Sequence, residues 1–317
     1  MGSLSGPVAY SPTNHDIYVT NLGSNTVSVI SPANSVIKTI TVDSQPYAIA
    51  YSPTNHDIYV TNLGSNTVSV ISPANSVIKT ITVGSRPLAI AYSPANSDIY
   101  VANELSNTVS VISPANSVIK TITVGSNPVA IAYSPANSDI YVANLSSGTV
   151  SVISSANSVS TISVGSGPYA IAYSPTSHDI YVANSYSDTV SVISSANTVI
   201  STISVGSDPN TIAYSPANSD IYVANYHSNT VSVISSANIV VATISVGSGY
   251  QAIAYSPTNH DIYVANLGSN TVSVISPANS VIKTISVGSG PYAIAYSPTN
   301  HDVYVANYYS GTVSVIH

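Results

Sequence analysis

The chain has 317 residues, of which 44% are hydrophobic and only 5% are charged, and its net charge is −7. Soluble proteins usually carry roughly 25% charged residues, so hydroxyl and amide side chains must supply most of this polar surface. The five basic residues are scattered, which argues against nucleic-acid binding, and no apolar run approaches the roughly 20 residues of a membrane-spanning helix. The absence of cysteine excludes disulfides, thiolate metal sites and cysteine nucleophiles.

One segment recurs eight times, and near the N-terminus it reads YSPTNHDIYVTNLGSNTVSVISPANSVIKTITV. The aspartate of its DIYV stretch returns at steps of 41 residues, with one step of 40, at Asp16, Asp57, Asp98, Asp139, Asp179, Asp220, Asp261 and Asp302. A period of about 40 residues with several strand-like runs in each copy is typical of a β-propeller. Because the period is unbroken from Tyr10 to Ile316, we expect residues 1–317 to form a single propeller domain.

Each copy contains four predicted strands separated by turns rich in Gly, Pro, Asn and Asp. In chain order they are YAIAYS, as at residues 47–52, then DIYVAN, as at residues 98–103, then TVSVIS and finally VIKTITVGS. These runs are dominated by β-branched and aromatic residues, and helix signals are absent, so the predicted fold class is all-β. The small alanines of the first strand suit an inner strand that lines a central channel.

The copies predict an eight-bladed β-propeller with four-stranded blades of about 41 residues and an incomplete last blade. The first three strands occur eight times but the fourth only seven times, which gives 31 strands. The outer edge of the last blade would then be open to pairing, so self-association through it is expected to be possible. Residues 1–6 are interpreted as an expression remnant or a short closing segment beside that blade. A seven-bladed propeller with one copy outside it is the alternative.

The repeat also resembles a known family. Residues 18–21 and 59–62 read YVTN, and they are followed by SNTVSVI and, in most copies, by a Val-Gly-Ser-x-Pro turn. This order resembles the YVTN family of β-propeller repeats found in archaeal and bacterial surface-layer and secreted proteins. The resemblance covers nearly the full chain, although Ala replaces Thr in copies three to eight and the Asp-Gly that many seven-bladed members carry after Ser-Pro is missing. It implies a non-enzymatic extracellular or cell-surface module for protein binding or cell adhesion.

The copies differ mainly in two loops that strand alternation places on one face of the propeller. We call them the lead-in loop, which precedes each first strand (residues 43–45 in the second copy), and the 2–3 turn, which joins the second and third strands (residues 22–25 in the first copy). Tyrosine offers flat apolar area with a hydrogen-bonding tip, which suits recognition of carbohydrate or protein surfaces. The predicted ligand-binding residues are Tyr186, Asp188, Asp208, Tyr226, His227, Tyr250, Tyr308 and Tyr309. The alternative is that sequence drift accumulated in exposed loops.

Two other functions remain open at this point. The propeller could be a structural surface-layer lattice or spacer module without a small ligand. It could also be a lactonase-type or lyase-type enzyme, because Asp188, Asp208 and His227 are predicted on one rim, although no Lys or Arg lies near them in the repeat. We predict no catalytic residue and no cofactor. We also predict no metal ligand, because adjacent His and Asp in the repeated His-Asp turns point to opposite faces.

Overall fold

The fold was analysed in a computed structural model that describes residues 2–249 and 251–317. These residues form eight antiparallel sheets, or blades, and the fold is an eight-bladed β-propeller. Seven blades have four strands in chain order, and the last has three. The predicted all-β class, the eight blades and the incomplete last blade are confirmed, and the seven-bladed alternative is wrong. The described part of the chain contains no helix that could cross a bilayer.

The strands follow the repeat closely, since each one coincides with a β-branched or aromatic run of the sequence. Blades 1 and 2 consist of β1 Ser5–Tyr10, β2 Ile17–Asn21, β3 Thr26–Ile30, β4 Val36–Thr41, β5 Pro46–Tyr51, β6 Ile58–Asn62, β7 Thr67–Ile71 and β8 Val77–Thr82. Blades 3 and 4 consist of β9 Pro87–Tyr92, β10 Ile99–Asn103, β11 Thr108–Ile112, β12 Val118–Thr123, β13 Pro128–Ser134, β14 Asp139–Asn144, β15 Thr149–Ile153 and β16 Val159–Ser163.

The second half of the chain continues the same pattern. Blades 5 and 6 consist of β17 Pro168–Tyr173, β18 Ile180–Asn184, β19 Thr189–Ile193, β20 Val199–Ser204, β21 Pro209–Ser215, β22 Asp220–Asn225, β23 Thr230–Ile234 and β24 Val240–Ser245. Blades 7 and 8 consist of β25 Gln251–Tyr255, β26 Ile262–Asn266, β27 Thr271–Ile275, β28 Val281–Ser286, β29 Pro291–Tyr296, β30 Val303–Asn307 and β31 Thr312–Ile316.

The chain divides into two compact units, and each has its core between neighbouring blades. Unit 1 is Met1–Thr123 with Val287–His317 and holds blades 1–3 and 8, whereas unit 2 is Val124–Ser286 and holds blades 4–7. In unit 2, Tyr181 and Ile203 of blade 5 pack in one cluster with Ile221 of blade 6. In unit 1, Tyr18 and Val27 of blade 1 share a cluster with blade 2 in the same way. Packing between sheets thus buries most of the apolar surface of each blade.

Burial changes in order across a blade. In blade 1 the first strand is partly buried, the second and third strands are buried, and the fourth strand is exposed except at Ile40. Ile37, which points away from the sheet interface, is 54% exposed. The fourth strand therefore covers the third strand, and its one buried residue, Ile40, lies opposite Val27 of that strand.

A tyrosine-asparagine hydrogen bond joins each blade to the next within a unit. The Tyr222 hydroxyl donates to Asn279 Oδ1 at 2.6 Å and accepts a hydrogen bond from Asn218 Nδ2 at 2.9 Å. Tyr222 belongs to the second strand of blade 6, and Asn279 to the turn between the third and fourth strands of blade 7. The equivalent pairs are Tyr18 with Asn75, Tyr59 with Asn116, Tyr141 with Asn197, Tyr181 with Asn238 and Tyr304 with Asn34. The near-identity of these turns among the copies thus has a structural cause.

The repeated aspartate takes part in the same junction. Asn75 Nδ2 donates to Asp16 Oδ2 at 3.3 Å, and the Asp16 backbone N–H donates to Asn14 Oδ1 at 3.3 Å. Burial raises the pKa of this carboxyl above its ordinary value of 3.8, and the hydrogen bond from Asn75 opposes the shift. Burial likewise raises the pKa of Asp57, Asp98, Asp220 and Asp261.

The N-terminal residues belong to blade 1. Ser5 and Gly6 begin β1, which pairs with β2 as the first strand of that blade. The Leu22 N–H donates to the Leu4 carbonyl at 3.1 Å, so residues 3 and 4 take the place of a lead-in loop. Met1 lies outside the described residues.

Replacing Tyr222 by Phe tests the junction. The substitution leaves the partly buried Asn279 Oδ1 without its hydroxyl donor, so we expect the free energy of unfolding to fall by about 1–2 kcal/mol. Urea unfolding followed by circular dichroism measures the change. Tyr186→Phe is the matched control, because its side chain is 69% exposed, and it should leave the midpoint unchanged. Equal effects of the two substitutions would contradict a stabilising role for the bond.

The buried aspartates predict an unusual dependence of stability on pH. A carboxyl whose pKa is raised by folding holds its proton more tightly in the folded state, so stability falls as pH rises from the ordinary pKa through the raised one. We expect the free energy of unfolding to decrease as the pH rises above about 4, the ordinary pKa of an aspartate. Comparison with an Asp16→Asn, Asp57→Asn, Asp220→Asn variant isolates this effect, because both proteins carry the same histidines. Parallel pH curves for the two proteins would argue against it.

Candidate functional site

Backbone hydrogen bonds hold the two variable loops of each blade together. In blade 6 the Tyr226 N–H donates to the Asp208 carbonyl at 2.9 Å and the His227 N–H donates to the Ser207 carbonyl at 3.1 Å. In blade 5 the Ser185 N–H donates to the Gly167 carbonyl at 2.8 Å in the same arrangement. Main-chain bonds do not depend on side-chain identity, so these loops can change their side chains without losing their backbone frame.

Blades 5 and 6 form a cleft of about 210 Å³ on this frame in unit 2. The lining residues include Tyr186 and Tyr226 together with Asp208. The other lining residues are Tyr169, Ser185 and Asn210. The cleft therefore combines aromatic surface with carboxyl, amide and hydroxyl groups, and no Lys or Arg occurs among its described lining residues.

Asp208 is the most strongly constrained group of the cleft. Its backbone has φ of 55°, and its N–H donates to Asp188 Oδ1 at 2.8 Å. Its Oδ2 lies 3.1 Å from His227 Nδ1, and the His227 ring lies 4.7 Å from the Tyr226 ring. Burial raises the pKa of Asp208, while the charge of His227 opposes the rise and that of Asp188 adds to it. A hydrogen-bonding ligand therefore meets a preoriented carboxyl beside an exposed imidazole.

Asn210 is a cleft residue that differs from most copies of the repeat. The equivalent positions hold Tyr47, Leu88, Val129, Tyr169 and Tyr292 in five other copies, and blade 7 carries the amide Gln251 there. Asn210 is only 6% exposed, and no hydrogen-bond partner for its Oδ1 exists among the described residues. An unpaired polar atom in such a buried position costs about 1–3 kcal/mol. The repeated asparagines that end the second strands, such as Asn225, also have an unpaired Oδ1 among the described residues, so it is the position of Asn210 in the cleft lining that makes its amide a functional candidate.

A glycine makes room for the Tyr186 ring. Gly167 adopts φ of +68°, and a Cβ built there would lie 2.6 Å from Tyr186 Cγ. In blade 8 a Cβ on Gly290 would lie 2.4 Å from Tyr309 Cδ2. In both blades the tyrosine can fold over its lead-in loop only because that loop carries glycine.

A second aromatic cluster occupies the variable loops of unit 1. The ring of Tyr308 lies 5.5 Å from the ring of Tyr292 and 5.3 Å from that of Tyr309. The hydroxyls of Tyr292 and Tyr47 lie 2.6 Å apart. Tyr308 is half-buried while Tyr309 is 64% exposed, so this cluster is an aromatic surface with one projecting ring.

The structure groups only part of the residue set predicted from the sequence. Tyr186, Asp188, Asp208, Tyr226 and His227 meet at the cleft of unit 2. Tyr308 and Tyr309 belong to the aromatic cluster of unit 1, and Tyr250 lies outside the described residues. The sequence set also omitted Tyr169, Ser185 and Asn210. The sequence did contain a signal that could have identified Asn210, because most copies have an apolar or aromatic residue at this position.

The repeated histidines are engaged in the turns. His178 has φ of 62°, and its Nδ1 lies 2.9 Å from the hydroxyl of Tyr173 in the first strand of the same blade. His15, His56, His260 and His301 pair with Tyr10, Tyr51, Tyr255 and Tyr296 in the same way. The described residues contain no cluster of three or more His, Asp or Glu side chains suited to a metal ion.

The sequence matches no family model and no curated protein. Similar solved structures include a functionally unknown protein from Desulfotomaculum acetoxidans DSM 771, with 18% identity and a TM-score of 0.69 over 95% of this chain and 98% of that one. A catalytically inactive virginiamycin B lyase from Staphylococcus aureus with quinupristin has 13% identity and a TM-score of 0.68 over 99% and 96%. The dihydro-heme d1 dehydrogenase NirN has 12% identity and a TM-score of 0.81 over 98% and 74%. At these identities the likeness extends to the propeller fold alone.

Gly167→Ala tests how the cleft is shaped. The left-handed backbone should cost roughly 1–2 kcal/mol with alanine, and the new methyl group must displace the Tyr186 ring. Gly148→Ala is the matched control, because Gly148 has φ of +62° but its Cβ would meet only a carbonyl oxygen at 3.6 Å. We expect both variants to lose similar stability in urea unfolding. NMR shifts of the Asn210 side-chain amide should change only in Gly167→Ala, and identical shifts in both variants would refute the steric role.

Proposed function

We propose that the protein is a non-enzymatic extracellular or cell-surface binding propeller, and that the cleft of blades 5 and 6 recognises carbohydrate. The observation that carries the proposal is Asn210, whose buried Oδ1 has no partner among the described residues and which lines the same cleft as Tyr169, Tyr186 and Tyr226. Selection for stability alone favours an apolar residue at such a position. A ligand that reaches this amide and donates a hydrogen bond to it would offset the cost.

The composition of the cleft favours a sugar over an anionic or strongly apolar ligand. The faces of Tyr186 and Tyr226 suit the apolar face of a pyranose, and their hydroxyls can bond its rim. The Asp208 carboxyl and the Asn210 amide can accept hydrogen bonds from sugar hydroxyls. Asp188 and Asp208 place negative charge at the site without a neighbouring Lys or Arg in the described lining, which disfavours phosphate or carboxylate ligands. A protein surface with exposed hydroxyl or amide groups is the related alternative.

The repeat signatures support the proposed setting. The YVTN-like order of DIYV, SNTVSVI and Val-Gly-Ser-x-Pro motifs favours membership of the YVTN-type surface-layer and secreted propellers. A surface composed mainly of hydroxyl and amide groups, with 5% charged residues overall, agrees with an extracellular location. A lattice or spacer role without a small ligand is the competing proposal. It leaves the carboxyl of Asp208 and the amide of Asn210 in the cleft without a function.

Acid-base catalysis is a second candidate, favoured by one observation. The carboxyl of Asp208, a residue that lines the cleft, lies 3.1 Å from the His227 imidazole. Such a pair can move a proton if the substrate reaches the imidazole. Stabilisation of a developing oxyanion would require a cationic or backbone donor, and no cation lines the described cleft. Binding without turnover is therefore the stronger proposal.

A glycan and cell-envelope binding screen tests the proposal. The wild-type chain should bind a restricted set of sugars, and Asn210→Val should weaken that binding about tenfold or more because it removes the acceptor. Valine already occupies this position in blade 4 as Val129, so the variant should fold. A Tyr186→Ala, Tyr226→Ala variant should lose binding as well. A Tyr308→Ala, Tyr309→Ala variant in unit 1 is the matched control and should retain it.

The outcomes separate the candidate functions. Loss of binding only in the tyrosine variant of unit 1 would move the site to that cluster. Absence of binding by the wild-type chain, together with concentration-dependent mass in light scattering, would favour the lattice role. Turnover of a lactone or ester panel that disappears in His227→Ala would establish the enzymatic candidate instead.

A further inference from the structure

The variable loops of unit 2 carry negative charge that no basic residue compensates. In blades 4–7 the lead-in loops and 2–3 turns contain Asp188 and Asp208 but no Lys or Arg. Unit 1 differs, because Arg86, the one basic residue of its variable loops, places Nε 3.0 Å from Glu104 Oε2. The variable loops of unit 2 therefore attract a positively charged ligand.

The two carboxyls of unit 2 lie close together. The Asp208 N–H donates to Asp188 Oδ1 at 2.8 Å. Burial raises the pKa of Asp208, the charge of His227 opposes the rise, and the charge of Asp188 adds to it. His227 Nδ1 contacts Asp208 Oδ2 at 3.1 Å, which leaves Oδ1 to a ligand. A cation beside Oδ1 would relieve the repulsion between the two carboxylates.

Two other polar residues of the cleft offer hydrogen-bond acceptors. The Ser185 hydroxyl donates to the Gly167 carbonyl at 3.1 Å, so its oxygen can only accept a further hydrogen bond. Asn210 is 6% exposed, and its Oδ1 has no partner among the described residues. With Asp208, these residues provide three acceptors in one cleft lining. A primary ammonium matches such a set, because it combines positive charge with three N–H donors.

The three tyrosines of the lining suit both parts of a cationic sugar. An aromatic face attracts a cation within about 6 Å of the ring centre, and this contact is worth about 0.5–2 kcal/mol. The same kind of ring packs against the apolar face of a pyranose. The cleft of about 210 Å³ is smaller than the roughly 300–1,000 Å³ of sites for drug-sized molecules, so it fits one sugar unit.

We propose that the ligand of this cleft is an amino sugar, in which a protonated primary amine replaces one hydroxyl of the pyranose. This inference rests on the proposed function and names the class of sugar. The ammonium donates hydrogen bonds to Asp208 Oδ1 and Asn210 Oδ1, and the pyranose ring packs against the tyrosines.

Other cationic and neutral groups fit the same residues less well. A quaternary ammonium has no N–H donor, so the acceptors of Asp208 and Asn210 would be buried without partners. An N-acetylated amine has one N–H and no charge, so it gains nothing from the two carboxylates. A lysine side chain has the ammonium, but its flexible methylene stem costs more entropy to immobilise than a rigid ring.

A series of matched oligosaccharides tests the proposal. Short oligomers of glucosamine, N-acetylglucosamine and glucose with the same linkage differ in one substituent, which is an ammonium, an acetamide or a hydroxyl. Isothermal titration calorimetry at about pH 6, where a side-chain carboxyl is ordinarily ionised and an amine is protonated, measures their affinities. We expect the glucosamine oligomer to bind at least about tenfold more tightly than the other two.

Asp208→Asn locates the charge that gives this preference. The variant should fold, because Asn127 occupies the equivalent position of blade 4 with a similar φ of 60°. We expect the preference for the glucosamine oligomer to fall to about threefold or less, while the affinity for the glucose oligomer changes little. Asp43→Asn is the matched control, because it removes a carboxylate from a lead-in loop of unit 1 and should keep the full preference.

The outcomes separate this inference from the proposed function. Equal affinity of the three oligomers would overturn the amino-sugar proposal and leave carbohydrate binding standing. A preference that persists in Asp208→Asn would overturn it too, because the amine would then be bound elsewhere. Tighter binding of a short lysine-containing peptide would show that the cation belongs to a protein. Absence of binding by every oligomer, here and in the glycan screen, would count against the proposed function itself.

Discussion

The arrangement of the blades depends on a buried tyrosine hydroxyl that forms one hydrogen bond within its own blade and one to the next blade. Tyr222 receives a hydrogen bond from its own blade through Asn218 and donates one to Asn279 of the next blade. Asn279 can receive it because its turn places the backbone at φ of 59°, a conformation that asparagine tolerates better than most residues. The Ser-Pro-Ala-Asn sequence therefore sets the spacing between blades as well as the turn itself. A change in either partner removes this hydrogen bond between blades, and this explains the uniformity of that face.

The opposite face is free to vary because its loops rely on main-chain bonds. The 2–3 turn of blade 6 is attached to its lead-in loop through the carbonyls of Ser207 and Asp208, whatever side chains these residues carry. The propeller can therefore place a carboxyl, an imidazole and a buried amide in blade 6, whereas blade 5 has Gly167, Tyr186 and Tyr169 at the same positions. A rigid constant face and a variable face on one scaffold is an arrangement that suits recognition.

The sequence predicted the fold well because the signals are local. DIYVAN, TVSVI and VIKTIT are each recognisable as strands, and their fixed spacing gives the blade count directly. Tyr186, Asp208 and Tyr226, which line the cleft, were included among the predicted residues because their loops vary among the copies. Asn210 was missed because its burial follows from packing around the cleft, which no spacing rule encodes. The place of Ser5 in β1 was also missed, since SGPVAY lacks the alternating pattern of the other first strands and only the pairing with β2 reveals it.

The sameness of the strands has a consequence for the route of folding. β3, β7, β11, β15, β19, β23, β27 and β31 are all TVSVI, so side chains alone cannot tell a fourth strand which third strand to join. The choice is made by chain connectivity, because a turn of a few residues brings the correct partner close long before a distant copy can diffuse in. Most of the structure can therefore assemble from neighbouring segments. The contact of Tyr304 with Asn34 spans 270 positions of the chain, and it is of the kind that forms late and at the greatest entropic cost.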